Sequence, residues 1–355
     1  MAIDDRTLRL AAGMRLQVAR ALDAEETQIL TAWARAWNEI APEWQAALDD
    51  LASAGKDGKW PTRAQVARAT RARKALEATH DALAGLARDM DLRILRALPD
   101  LAKDAATWQA RLIGSQMPDA AKHADVALGG VWDRMDPKAL DAIVRRSAGQ
   151  VQALSYPLAP RAVAAMKSEI IRGIAIGDNP RTAASRMLIR VNGHFNGGRN
   201  RALNLARTEM LDAHREASRE QRKANADVLT GWTWVATLDA RTCESCWSQH
   251  GSVHDVDEPG PLDHQQGRCT SVPTTKSWKD LGIDLPEPAS VLPDARQVFD
   301  ALPLETQTAI LGQTKLDLLN SGRIEWADLS QRRSTDGWRD SFAPTPLSTL
   351  LAKAS

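Results

Sequence analysis

Gly231-Trp-Thr-Trp-Val-Ala-Thr-Leu-Asp-Ala-Arg-Thr-Cys-Glu-Ser-Cys246 is the stretch on which the architecture turns. Helical spacing upstream gives way here to alternating aromatic and β-branched residues, with Trp232 and Trp234 on one face of an expected strand. Asp239 to Cys243 then carries the chain into a tight turn, and Arg268-Cys-Thr-Ser-Val272 is expected to return as the partner strand. All three cysteines of the 355-residue chain fall in this window, as Cys243-x-x-Cys246 and Cys269, with His264 five residues before the last. Two cysteines separated by two residues can face one ion from a single turn, and a His/Cys pair from a later turn completes a tetrahedron. Zinc is the ion this pattern predicts, with Cys243, Cys246, His264 and Cys269 as ligands. A closed set of four leaves no open coordination position, so the site is expected to be structural. His250 and His254 lie in the same window and remain alternatives to His264. A redox pair or ordinary buried thiols are the competing readings. The odd cysteine count argues against a disulfide framework, and the residues around Cys243 do not read as a helix start within a βαβ unit.

The connection from Ser248 to Gly267 is long for a compact module. Metal binding would offset the entropy of ordering it.

Upstream, residues 1 to about 113 are rich in Ala, Leu, Arg, Glu and Asp, and their spacing predicts a long helical region broken near Ser53–Pro61. The run Arg63 to Lys74 reads as a solvated helix face. Asp136-Pro137 is an N-cap followed by proline at the first helical position. A further helix is expected from about Pro160 to Gly177, and Asn179-Pro180 restarts the chain in the same way. Asn192 to Gly198, with three glycines, is expected to be a loop. From Arg199 the residues Leu203, Ala206, Met210, Ala213 and Ala217 form an apolar stripe flanked by Arg207 and Glu209. Beyond Pro273, Leu285-Pro-Glu-Pro to Pro293 predicts a semi-rigid connector. It is followed by one helix from Glu305 to Asn320, Trp326 and Trp338 as apolar anchors, and from Pro346 a frayed terminus, with a short docking helix as the alternative. The expected fold is therefore mainly α, with a long N-terminal helical region and a small zinc-stapled α+β module with a strand pair around the metal site. Its divisions are 1–135, 136–284 (the zinc module at about 230–278) and 285–355.

The net charge of +1 conceals an asymmetry. Pro180–Ala224 holds ten Arg or Lys against four Asp or Glu, whereas Asn225–Asp300 holds five against twelve. A solvated basic face beside an acidic loop is the plain reading; contact with nucleic acid and a basic-to-acidic junction for subunit contact are the others. No apolar run reaches membrane-spanning length, and the opening residues Met1-Ala-Ile-Asp-Asp-Arg are not a signal peptide, so assembly in a reducing cytoplasm is expected.

The succession Ala206-Arg-Thr-Glu-Met210, Gly231-Trp-Thr-Trp234, Leu238-Asp-Ala-Arg-Thr-Cys243-x-x-Cys246, His250-Gly251 and His264 to Cys269 resembles the phage minor head morphogenesis proteins of the Mu F type, over roughly residues 137 to 275. The last turn departs from that family, which commonly reads His-Pro-x-Cys-Arg-Cys where this chain has His264-Gln-Gln-Gly-Arg-Cys269. The resemblance implies a low-copy structural component of the virion head or portal vertex, with no enzymatic activity. Implied partners are the portal protein or inner capsid shell and, through packaging or ejection, the DNA; no membrane and no small-molecule substrate are implied. On that analogy Arg207 and Glu209 brace the helix against the zinc module or meet a partner. Two alternatives of other classes are a zinc-ribbon DNA-binding protein using the basic segment, and a metal-dependent nuclease built on His250, His254, Asp255 and Asp257. No H-E-x-x-H, P-loop, nucleophile-elbow or deaminase motif supports an enzyme.

Overall fold

The computed structural model describes residues 3–54, 69–118, 132–155, 159–160, 163–164, 180–264, 267–335 and 338–354. The expected break at Ser53–Pro61, the first half of the Arg63–Lys74 run, the helix from Pro160 to Gly177 and the cap at Asn179 lie wholly or mostly outside these residues.

Four long helices come first: α1 (Asp5–Ser53), α2 (Thr70–Ser115), α3 (Pro137–Ser155) and α4 (Pro180–Ala224). Asp4 caps α1, its carboxylate accepting from the backbone N–H and the hydroxyl of Thr7. Asp136 caps α3 as its sequence predicts, accepting from the Lys138 N–H. Then follow β1 (Leu229–Val235), α5 (Glu244–Gln249), β2 (Val253–His254) and β3 (Thr270–Thr275). The C-terminal elements are α6 (Ala295–Asp300), α7 (Leu304–Leu311), α8 (Gln313–Asn320), a 3-10 turn (Trp326–Leu329), β4 (Ser330–Thr335), β5 (Trp338–Pro344) and α9 (Leu347–Ala354). The mainly helical class is as expected, and the strand pair expected around the metal site is present as β1 and β3, within a sheet of three strands.

Packing divides the chain into two units that interleave along the sequence, where composition suggests the consecutive blocks 1–135, 136–284 and 285–355. One unit comprises Ala21–Leu98 and Val144–Met210; the other comprises Met1–Arg20, Pro99–Ile143 and Leu211–Ser355.

In the first of these, α1 and α2 run antiparallel. The Trp44 indole donates to the Thr79 hydroxyl at 2.8 Å, and further along Arg71 meets Asp50 at 3.0 Å. Burial at Ile29, Trp33, Ile40 and Trp44 on α1 and at Ala75, Thr79, Leu83, Met90 and Ile94 on α2 follows the helical period. Asn192–Gly198 is helix here, contrary to the expected loop. Phe195 is fully buried against Trp33 and Trp37, at 5.7 and 5.2 Å between rings, and its carbonyl accepts from the Trp33 indole. Burying that ring, at about 1.5–3 kcal/mol, together with its contacts to two Trp rings and the indole hydrogen bond, offsets the roughly 1 kcal/mol that each of the three helical glycines costs.

The second unit is built on a three-stranded antiparallel sheet of order β2-β1-β3. Trp232 pairs with His254 on one side and with Pro273 on the other, and Thr233 sits opposite Val272. Gly231 is required by this pairing, since a Cβ there would stand 2.1 Å from the His254 carbonyl oxygen. One sheet face presents Val235 and Val272 to Ile3, Ala11, Met14 and Leu112. The outer edge of β3 is met by two buried glutamines, Gln109 in the last turns of α2 and Gln116 just past its end: Gln109 donates to the Ser271 carbonyl at 3.2 Å and Gln116 to that of Pro273 at 2.7 Å. The Gln116 side-chain oxygen accepts in turn from the Thr275 N–H and hydroxyl.

The C-terminal elements surround their own core of Phe299, Leu311, Leu316, Leu319, Leu329 and Leu350 together with Trp247. Three features here differ from expectation. The single helix from Glu305 to Asn320 is two, because Gly312 has a positive φ of 74° and starts α8 in a new direction. The hairpin β4–β5 forms without the alternating apolar pattern that would announce it. The terminus is not frayed: Leu350 is buried, Lys353 pairs with Asp328 at 2.5 Å, and Arg323 donates to the Ala354 carbonyl at 2.7 Å.

Candidate metal centre

Cys243 stands immediately before α5 and Cys246 inside its first turn, so both sulfurs face the same side of a six-residue helix. His264, from the loop before β3, brings its ring nitrogen to them; the donor atoms of Cys243, Cys246 and His264 all lie within 4.8 Å of one another. Cys269 stands outside that group of three, with its thiol against that of Cys246. Cys243 is pushed down to about 4 by the hydrogen bond from Cys246 and then by His264, against burial. Cys246 is pushed up, because it donates to Cys243, neighbours Cys269 and is buried. A thiolate, further sulfur donors and an imidazole in one partly buried cluster are the soft donor set that fits Zn2+, and these residues could hold it.

The alternative histidines are committed elsewhere. His250 Nδ1 accepts from the Ala236 N–H at 3.1 Å, leaving Nε2 to donate to the Pro293 carbonyl at 3.2 Å, and burial lowers its pKa. His254 stacks on Trp232 at 4.2 Å, with Nδ1 on Glu258 at 3.0 Å and Nε2 on Ser252 at 2.9 Å. Asp257 pairs with Arg219 at 2.7 Å. Among the described residues, His250, His254, Asp255 and Asp257 therefore form no common cluster.

Residues that the spacing argument passes over hold the two ligand turns. Asp263 is completely buried; one oxygen accepts from Arg215 at 2.5 Å and the other from the Cys269 N–H at 3.2 Å. Gly267 is obligatory beside it, for a Cβ would lie 1.9 Å from the carboxylate. Asp239, before the first ligand turn, takes both Arg268 nitrogens at 2.9 Å and the Thr242 hydroxyl at 3.0 Å. The Arg268 hydrogen bonds hold the Asp239 carboxyl below its ordinary range. The signal available in the sequence is adjacency, since Asp263 and Arg268 each precede a predicted ligand.

Arg207 does not make the expected brace from helix to module. Arg207 pairs with Glu26 at 2.8 Å and with Asp23 at 3.6 Å, both on α1, and Glu209 is buried. The brace lies two to four turns further along α4. Arg215 reaches Asp263, and Arg219 reaches both the carboxylate and the carbonyl of Asp257. Arg222 is fully buried over the Trp232 ring at 5.2 Å and donates to Ser271 at 2.9 Å. Burial, and then Arg219, push Arg222 down to about 9. The basic end of α4 thus meets the acidic loop within the chain.

Fold and cluster together define a mainly helical protein carrying a small α+β module with a Cys/His group that could hold a metal ion. Residues 164–272 match the family model described as Phage Mu protein F like protein. The match runs through α4, β1, α5 and β2 into β3, so the similarity to Mu F-type proteins holds over the segment that carries Cys243, Cys246, His264 and Cys269, and it points to phage head morphogenesis and the virion. No curated protein and no solved structure matches the chain. Among the described residues, no helix is long and apolar enough to cross a membrane.

Removing one partner of a buried ion pair strands the other charge, at a cost of about 3–5 kcal/mol. Asp263→Ala should therefore lower unfolding free energy by about that amount, whereas Arg215→Met/Asp263→Leu together should cost less than Asp263→Ala alone; urea titration of the three proteins checks this. His214, buried beside Arg215 on α4, is pushed down to about 3 by burial and then by Arg215. The unfolded imidazole titrates near 6.5. Between these values the unfolded chain binds the extra proton, so this contribution is intact above pH ~6.5 and falls by up to about 1.4 kcal/mol per pH unit below it. In His214→Gln, the urea midpoint should vary less steeply between pH 7 and pH 4 than in the wild type.

Proposed function

We propose that this chain is a structural, non-enzymatic minor capsid protein of a tailed phage, present in low copy at the portal vertex and acting in head assembly. The observation that carries the reading is the family match over residues 164–272, which spans the most elaborately braced part of the chain. The portal protein or the inner capsid shell is its partner, and its place at the vertex puts it in the path of DNA during packaging or ejection. Zn2+ is held by Cys243, Cys246, His264 and Cys269, the last completing the set from beside Cys246. When bound, the ion supplies a cross-link between two turns far apart in sequence, and with four protein ligands it leaves no position for substrate. Asp263 orients the Cys269 backbone and Arg268 ties the second turn to the first, so the protein's own residues pre-arrange the donors.

The DNA-binding and nuclease readings find less support. Arg215, Arg219 and Arg222 of the basic segment are engaged within the chain, and the loop histidines have structural partners.

Purified protein is expected to carry one zinc per chain by elemental mass spectrometry, with loss of the metal in Cys243→Ser and Cys269→Ser; full occupancy in both variants would overturn the ligand set. Quantitative mass spectrometry of procapsids and virions, with portal subunits as the internal count, should find a few copies per portal. Absence from both particles would remove the morphogenesis reading.

A further inference from the structure

The helix that carries two of the cluster's thiols has two sides, and the second is fastened to the C-terminal elements. At six residues α5 is too short to be stable by itself, and Cys243, at its N-terminal cap, makes no side-chain capping bond. The non-ligand side chains of this helix are instead taken up by residues beyond 295. Glu244, almost fully buried, pairs with Lys315, whose ammonium also donates to the Thr345 carbonyl at 2.7 Å. The Ser245 and Ser330 hydroxyls are 2.7 Å apart, and Gln249 donates to Ser330 at 3.2 Å. Ser248 donates to the Trp326 carbonyl at 2.9 Å. Trp247, fully buried, enters the C-terminal core with its ring 5.7 Å from Phe299.

We propose that metal binding at Cys243 and Cys246 and seating of the C-terminal elements on α5 are one coupled transition, so that the metal centre latches residues 295–354 to the module. The inference rests on the zinc reading above and adds to it a mechanical consequence. The conformation that presents both sulfurs to one ion is the same conformation that presents Glu244, Ser245, Trp247 and Ser248 to Lys315, Ser330, Phe299 and Trp326. Either event orders α5 for the other, and the coupling is reciprocal: metal tightens the C-terminal contact, and the contact tightens metal binding by the same factor. Lys315 is then a positioning residue for a metal site it does not touch.

The test uses the full-length chain. Zinc affinity is measured by competition with a colorimetric chelator, and hydrogen exchange is followed by mass spectrometry with and without zinc. Removing zinc should raise exchange across residues 295–354 at least tenfold while leaving residues 21–50, in the other packing unit, unchanged. Lys315→Met should still bind one zinc, about tenfold more weakly, a loss of the size usual for coupling between two sites, and Lys315→Arg should recover part of the loss. Ser330→Ala should shift affinity in the same direction to a smaller extent. If the wild type binds one zinc but exchange across 295–354 is the same with and without it, the latch is wrong and the zinc site stands. Unchanged zinc affinity in a folded Lys315→Met would overturn the latch in the same way. If the wild type binds no zinc at all, the metal reading itself falls and the latch with it. Should Lys315→Met fail to fold, the wild-type comparison and Ser330→Ala decide the matter.

Discussion

A single carboxylate with no exposure to solvent, Asp263, joins the long helix to the ligand-bearing loop. It faces Arg215 with one oxygen and the Cys269 backbone with the other, and the chain passes so close that only glycine fits at position 267. A buried charge of this kind is tolerated only when fully satisfied. Its satisfaction fixes three things together: the rotation of α4, the placement of Gly267, and the start of β3. The sheet pairing and the approach of His264 to the two α5 thiols follow from that placement.

The C-x-x-C turn, the Trp232–Trp234 strand and its return through Thr270–Val272 are legible because each rests on local spacing or alternation, which sequence displays directly. The brace is not legible in the same way, because amphipathicity identifies the faces of a helix but not the level at which a distant loop meets it; Arg207 and Arg215 look alike until Asp263 is positioned. Asn192–Gly198 escapes for a different reason. Glycine content is a local argument for a loop, whereas the burial of Phe195 between Trp33 and Trp37 is a tertiary one, and the larger energy wins. The C-terminal helix shows the same competition, since Leu350 has somewhere to go only once the core around Phe299 exists. Of the expected ligands, Cys243, Cys246 and His264 come together as one group, and Cys269 lies against Cys246.

The charge asymmetry between α4 and the segment after it acquires a local meaning. Arg215, Arg219 and Lys223 face Asp263 and Asp257 within the chain, so part of the excess positive charge counted along the helix is neutralised a few ångströms away. Arg222 is different: buried over Trp232 and hydrogen-bonded to Ser271 and to the Glu258 carbonyl, it serves as a rigid spacer between helix and sheet as much as a charge.

Gln109 and Gln116, on the outer edge of β3, have a consequence for behaviour at high concentration. An open strand edge is a template on which other chains can add, and crowding many copies of a protein together favours such addition. Pro273 already removes one donor from that edge, and Gln109 and Gln116 occupy carbonyls and an amide that an incoming strand would need. The sheet is thereby finished by side chains instead of by another strand, which makes polymerisation through this edge unfavourable wherever many copies lie close together.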